Sequence, residues 1–309
     1  MATSGFKSDD VRFADLIDLT NPEKVFAEIS RIIRLIFPEA RLNSLINAFT
    51  DIRNLFAGNY PGYKACNTEY HNLQHTTDTA LALSRLIHGA AVEGVGFNEK
   101  NLELAIICAL MHDVGFIQNL DDNKGTGAKH TKTHVNRSIA FVKKYLGEHG
   151  YSSSDYQNAY TILKCTGIDV KLEEIEFSSP EIEMLGKMLG TADLLGQMAD
   201  RTYLEKLLFL YYEFREGEVG GYISEKDLME KTMSFFDDTF KRFKESLNGV
   251  NEYMAGHFRS SLGLDRDLYK EAIEKNRQYL LHLLTEHPSE YREFLRRGKI
   301  VKRLKEKGL

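Results

Sequence analysis

The stretch "EYHNLQHTTDTA" carries two histidines, His71 and His75, followed three residues later by Asp78. Residues three and four apart lie on one face of a helix, so a helix through this stretch would present all three side chains together. Imidazole and carboxylate groups arranged in this way suit a metal site or acid–base chemistry. The solvated face of an ordinary helix gives the same pattern, so the stretch alone leaves both interpretations open.

Two apolar segments further along are interrupted by residues of the same chemistry. His112 and Asp113 adjoin at the end of "LAIICALMHDVG", and Asp193 interrupts "MLGTADLLGQM". Charged groups are costly in apolar surroundings unless they are paired or bound to a metal. Such residues need a cation or hydrogen-bond donors if they are buried, which favours a functional site.

In this order the residues resemble the HD-domain superfamily of metal-dependent phosphohydrolases, whose pattern is a histidine, a His-Asp pair and a distant aspartate on separate helices. The resemblance implies that His75, His112, Asp113 and Asp193 bind a divalent metal. Imidazole and carboxylate ligands suit iron, manganese, zinc, cobalt or nickel, whereas magnesium would suit a carboxylate-rich second site.

The stretch "YHNLQH", with Asp78 three residues later, is also similar to the Y-H-N-x-x-H-x-x-D signature of cyclic-nucleotide phosphodiesterases. This second resemblance implies that His71 is the catalytic acid, which protonates the leaving oxygen. A metal-activated water would attack the phosphate ester, with Asp113 taking a catalytic part at that water. Asp78 would orient a neighbouring imidazole from outside the ligand set.

A further pair of histidines four apart, His130 and His134, is a candidate for a second metal or for phosphate binding. His134 lies where many HD proteins carry a histidine for a second metal. The next histidine of two-metal members is absent, because "YTILKCTGIDV" has Cys165 and Thr166 in that region.

The lysine that commonly follows H-D-x-G in the family is replaced by Phe116. Another cation would then have to contact the phosphate, and the candidates are Lys129, Lys132, Arg137 and Arg201. The substrate-binding residues are therefore left open.

Together these features predict a metal-dependent phosphohydrolase or phosphodiesterase that acts on a small phosphate ester, such as a nucleotide or cyclic nucleotide. The first alternative is a non-catalytic HD-type ligand sensor, although a sensor has no need to keep four costly polar groups. The second is a di-iron oxygenase, which the missing histidine disfavours.

Apolar residues recur at helical spacing along most of the chain, and only five prolines occur, so we expect an all-α fold. The resemblance implies a helical bundle of the HD-domain and phosphodiesterase type. We expect N-terminal helices in residues 1–59, the metal-binding core in 60–215 and a helical extension in 216–309, all packed as one unit. One helix is expected to run through "EYHNLQHTTDTALALSRLIHGA", residues 69–90.

The bulk properties exclude several classes of protein. A formal net charge of −5 gives no reason to bind nucleic acid, and three widely spaced cysteines disfavour both a disulfide framework and a thiolate zinc site. Without a signal segment or a long apolar run, the chain is expected in the cytoplasm, away from membranes. A homodimer is a further expectation.

The run "RRGKIVKRLKEKG", residues 296–308, is the only strongly basic segment. Glu306 and several apolar residues interrupt it, so we interpret it as a solvated helix end in preference to a polyanion-binding arm.

Overall fold

The computed structural model describes residues 11–309, and this part of the chain forms 13 α-helices and no strand. The predicted all-α class is confirmed. Residues 1–10 of the expected N-terminal segment lie outside the described part. The helices are α1 (Pro22–Ile36), α2 (Asn43–Ala57), α3 (Leu73–Val92), α4 (Glu99–Met111), α5 (His134–Glu148), α6 (Ser153–Lys164), α7 (Pro180–Ala199), α8 (Tyr203–Glu216), α9 (Glu225–Glu245), α10 (Tyr253–Leu262), α11 (Leu268–Glu286), α12 (Tyr291–Phe294) and α13 (Ile300–Glu306).

Helix α3 lies at the centre of the fold. Its residues 75–90 are all buried, because α1, α7 and α10 pack around it. A helix enclosed on every side cannot keep a solvated polar face, so the polar residues of α3 must find partners or ligands inside the protein. This position makes a solvated helix edge at His75 untenable.

The start of α3 corrects the expected helix through residues 69–90. Asn72 is the N-cap, and its side chain accepts the N–H of His75 at 3.1 Å. Asparagine favours this position because its side-chain oxygen satisfies a free N–H of the first turn. The helix therefore begins at Leu73, and His71 lies before it in non-helical backbone. His71 and His75 do not share a helix face.

The end of α4 carries the His-Asp pair. His112 caps this almost fully buried helix, and Asp113 leads into a short 3-10 turn that contains Gly115. A Cβ atom on Gly115 would lie 2.0 Å from the carbonyl oxygen of His134. The absence of a side chain at this glycine thus allows the start of α5 to approach Asp113 closely.

Helices from the N-terminal and C-terminal parts of residues 11–309 pack against the middle of the chain. Helices α1 and α10 contact α3, α11 contacts α7, and residues from all three expected segments share one hydrophobic core. The division at residues 60 and 215 stays a prediction. Within residues 11–309, no helix combines the length and the apolar character that crossing a membrane requires.

Candidate metal centre

Four side chains from three helical regions meet at one point in the interior. Nε2 of His75 lies 3.2 Å from Oδ2 of Asp113 and 3.2 Å from Oδ1 of Asp193. Nε2 of His112 lies 3.3 Å from Nε2 of His75 and 3.4 Å and 3.6 Å from the same two oxygens. The structure therefore brings together all four residues that the sequence selects as metal ligands.

These separations are close to those of ligand atoms around one metal ion. Metal bonds of about 2.1 Å place neighbouring ligand atoms about 3.0 Å apart at right angles and about 3.4 Å apart in a tetrahedron. The nitrogens and oxygen of His75, His112 and Asp193 all lie within 4.8 Å of one another. The spacing of His75, His112 and Asp193 thus fits a divalent ion, and Asp113 lies beside them, 3.2 Å from His75 and 3.4 Å from His112.

Hydrogen bonding within the cluster leaves ligand atoms free. Nδ1 of His112 donates to the carbonyl oxygen of Ala109 at 2.8 Å, so the lone pair of this imidazole is on Nε2, which faces the cluster. Oδ2 of Asp113 and Oδ1 of Asp193 are buried and accept no hydrogen bond of good geometry. Buried carboxylate oxygens without a donor are expensive, and a cation would satisfy them.

The electrostatics of the cluster also favour a cation. Burial lowers the pKa of His75, but the carboxylates of Asp113 and Asp193 outweigh burial and raise that pKa to about 9. Burial raises the pKa values of both aspartic acids, yet the two imidazoles outweigh it and hold them below the usual range. Two ionised carboxylates in a buried site call for positive charge, which the protonated imidazoles supply by themselves and which a divalent metal would supply in their place.

His71 is held apart from the four clustered side chains by a different partner. Its Nδ1 donates to Oε2 of Glu213 at 2.6 Å, while Oε1 of Glu213 accepts the backbone N–H groups of Glu69 and Tyr70 at 2.7 Å each. The imidazole and the carboxylate are 15% and 7% exposed. One carboxylate thus fixes both the backbone before His71 and the orientation of its ring, leaving Nε2 to exchange a proton.

Glu213 did not emerge from the sequence reasoning. Its signal is weak, because it is one acid in the mixed run "LFLYYEFREG" of α8. Glu213 is a charged residue on the apolar side of its helix, and Asp193 was selected because it interrupts an apolar segment in the same way. A second connection to the cluster has no local pattern in the sequence either. Tyr70 donates to Gln197, which in turn donates to the backbone carbonyl of Asp193.

The pair His130 and His134 is not a helical i, i+4 pair. His130 ends a 3-10 turn and contacts Asp122 at 3.3 Å, whereas His134 begins α5. Nδ1 of His134 donates to the carbonyl of Thr131, and its Nε2 lies 3.7 Å from Oδ1 of Asp113. The structure therefore places only His134 beside the cluster.

The ring of Phe116 lies between the imidazoles of His71 and His134. Its ring centroid is 4.1 Å from that of His71 and 4.5 Å from that of His134. Arg137 donates to the carbonyls of Gly115 and Ile117, so this candidate phosphate contact instead holds the turn after Asp113.

Two further candidate cations, Lys129 and Arg201, have other positions, and the third, Lys132, is exposed. Lys129 is paired with Asp122, and Arg201 lines a separate cleft between the start of α8 and the C-terminal residues. The loop that carries Lys129 is itself anchored, since Glu216 accepts the N–H and hydroxyl of Thr126. The structure gives no reason to assign either cation to the metal centre.

Asp78 is buried on the other side of His75. Burial, followed by the nearby charge of Asp200, raises the pKa of Asp78 to about 8. Its Oδ2 lies 3.4 Å from the amide of Gln74, and its Oδ1 has no hydrogen-bond partner in the described residues. Asp78 and His75 both line an internal cavity of about 10 Å³, roughly the space of one water. Orientation of an imidazole by Asp78 stays a prediction.

Comparison with known proteins adds one partial match. The family described as Npun_R2479-like matches residues 119–258, less than half of the chain. The matched segment includes His134, Asp193 and Glu213, whereas His75 and the His-Asp pair precede it. No curated protein matches the chain. The functional conclusion therefore depends on the geometry of the site.

Proposed function

We propose that this protein is an HD-type, metal-dependent phosphohydrolase that hydrolyses a phosphate ester of a nucleotide or cyclic nucleotide. The observation that carries the proposal is the meeting of two imidazoles and two carboxylates around buried oxygens that lack donors, beside a separately held histidine. A divalent ion bound there would supply Lewis acidity and lower the pKa of a coordinated water.

The histidines and Asp113 would contribute to the site in different ways. His75 and His112 give nitrogen atoms whose positions are fixed by a central helix and by the bond to Ala109. Asp113 contacts both of these nitrogens through Oδ2 and faces His134 through Oδ1. Its second oxygen can therefore accept a proton or orient a nucleophile while the first remains with the imidazoles.

His71 is the acid in this proposal. The carboxylate of Glu213 accepts the Nδ1 proton and stabilises the positively charged form of the ring. Nε2 then carries the proton that is given to the leaving oxygen, and Glu213 keeps the ring oriented as the charge changes. Phe116 packs against the imidazole and limits its exchange with water.

The first experiment measures metal and turnover together. Protein purified without chelator is expected to contain about one equivalent of a transition metal and to hydrolyse bis-p-nitrophenyl phosphate, with a panel of nucleotides and cyclic nucleotides tested next. Asp193→Asn is expected to weaken metal binding at least tenfold, because it removes one charged ligand. Asp238→Asn, an exposed aspartate of α9, is the matched control and is expected to behave as wild type.

Three results would contradict the proposal. Wild-type protein that binds no transition metal would remove the metal centre. Bound metal with ligand-induced stabilisation but no hydrolysis of any ester would favour the sensor alternative. Iron-dependent oxygen consumption would indicate the oxygenase instead.

A further inference from the structure

A second concave site lies apart from the four metal ligands. It is a cleft of about 700 Å³ between residues 13–20, the start of α8 and residues 296–303. Its floor includes Glu69 and Asn72, which flank His71 in the chain. Small-molecule sites typically have volumes of about 300–1,000 Å³, so this cleft has the size of a ligand site.

The acidic groups of the cleft are already neutralised. Each of its three carboxylates has a cationic partner, in the pairs Asp18–Lys24, Glu69–Arg303, Glu69–Lys307 and Asp200–Lys206. The two pairs at Glu69 also tie down the basic C-terminal run, since Arg303 and Lys307 bind Glu69 and Ile300 and Leu304 of α13 are buried. The expected solvated helix end is thus folded back onto the protein.

Three guanidinium groups in the same cleft form no salt bridge within residues 11–309, although the charge of Arg297 acts on the nearby carboxyl of Glu205. Arg296 donates to the carbonyl of Glu293, and Arg297 donates to the carbonyl of Arg201. The side chain of Arg201 makes no hydrogen bond or ion pair with any residue from 11 to 309. Arginines without a salt bridge on a concave surface attract an anion, and three of them suit a ligand with more than one negative charge.

Apolar side chains line the cleft beside these arginines. Phe13 and Phe209 are largely buried and, together with Ile17 and Ile300, contribute an apolar wall. An inorganic anion would gain nothing from the apolar wall, whereas a phosphorylated molecule with an aromatic or apolar part can contact both the wall and the arginines. We infer that this cleft binds a small phosphorylated molecule of the nucleotide kind, with its phosphate at Arg201, Arg296 and Arg297.

Calorimetric titration with adenosine monophosphate tests the inference in chelator-treated protein, where the metal centre cannot hold the phosphate through a metal. One equivalent is expected to bind, and Arg201→Gln with Arg296→Gln is expected to weaken binding about tenfold. The matched control is Arg34→Gln with Arg41→Gln, two exposed arginines outside the cleft, which is expected to leave the affinity unchanged. Inorganic phosphate and adenosine, tested separately, are each expected to bind more weakly than the nucleotide.

Several outcomes would overturn the inference. Absence of binding at millimolar nucleotide, or equal losses in both arginine pairs, would show that the cleft is not a specific site. Equal affinity for phosphate and the nucleotide would remove the role of the apolar wall. Loss of binding in His75→Ala would place the nucleotide at the metal centre. Since metal is removed throughout, failure of the proposed hydrolase activity would leave this test intact.

Discussion

The partnership of His71 with Glu213 makes a demanding prediction for Glu213→Gln. The glutamine oxygen can still accept the N–H groups of Glu69 and Tyr70, so the backbone before His71 is expected to keep its path. In the wild-type protein, Nδ1 of His71 donates to Oε2 of Glu213 at 2.6 Å. In the variant, the amide nitrogen of the glutamine would take the place of that oxygen and could not accept this proton. The variant therefore loses a charge-assisted hydrogen bond and the stabilisation of the protonated ring.

The size of the effect follows from that one bond. A hydrogen bond to a charged group contributes about 1.5–3 kcal/mol, and about 1.4 kcal/mol corresponds to a factor of ten in rate. We expect kcat for an alkyl phosphodiester, whose leaving group needs a proton, to fall roughly 10- to 150-fold. The fall for a p-nitrophenyl diester is expected to be much smaller, because p-nitrophenolate leaves without protonation.

The assay compares both substrates at saturation, with metal content measured on the same samples. Glu216→Gln is the matched control, since it is a glutamate of the same helix that binds Thr126 instead of the acid. Equal losses on the two substrates, or a parallel loss of metal, would refute the assignment of His71 as an acid held by Glu213.

The remaining predictions concern stability. Gly89→Ala is expected to destabilise the fold by several kcal/mol, because its Cβ would lie 1.8 Å from the carbonyl oxygen of Tyr253. Gly147 is a helical position with open space around it, so Gly147→Ala is expected to stabilise the fold by about 0.5–1 kcal/mol. Urea denaturation measures the free energy of unfolding of both variants. An unchanged free energy in Gly89→Ala would show that α10 can shift away from α3 at little cost. Burial, aided by the charge of Arg85 and by His88, lowers the pKa of His257 to about 2, so only the unfolded chain takes up this proton below its ordinary pKa of 6.5. The contribution of neutral His257 to the free energy of unfolding is therefore complete above pH 6.5. It falls by about 1.4 kcal/mol per pH unit as the pH drops below that value. His257→Gln in metal-free protein is expected to remove that slope between pH 6.5 and 5.5, and an unchanged slope in denaturation at the two pH values would contradict the assignment.

The helical class and several helix ends follow from local chemistry. Asn21 caps α1 with Pro22 in its first turn, and Gly58 ends α2 in the left-handed conformation, as their residue types predict. These ends depend on a few adjacent residues and on backbone preferences that are independent of the rest of the fold. The sequence therefore predicts them without knowledge of the packing.

The four residues of the candidate metal centre were grouped by the resemblance to the HD-domain superfamily. The separate argument from periodic spacing failed at His71, where it suggested a helix that begins only after the cap at Asn72. It failed again at His130, which the turn before α5 separates from His134. Glu213 is 142 residues from His71 in the chain, and no local pattern joins the two. Contacts of that kind depend on tertiary packing, which spacing does not encode.

The separate anchoring of His71 and His75 has a genetic consequence. Although only four residues separate them, His75 depends on the central helix α3, while His71 depends on Glu213 of α8. On the proposed function, inactivating substitutions are therefore expected to fall into two classes, one in which the protein loses its metal and one in which it keeps the metal but turns over slowly. Changes in α8 that repair a weakened His71 can then arise without any change in metal affinity, so selection can tune the two properties separately.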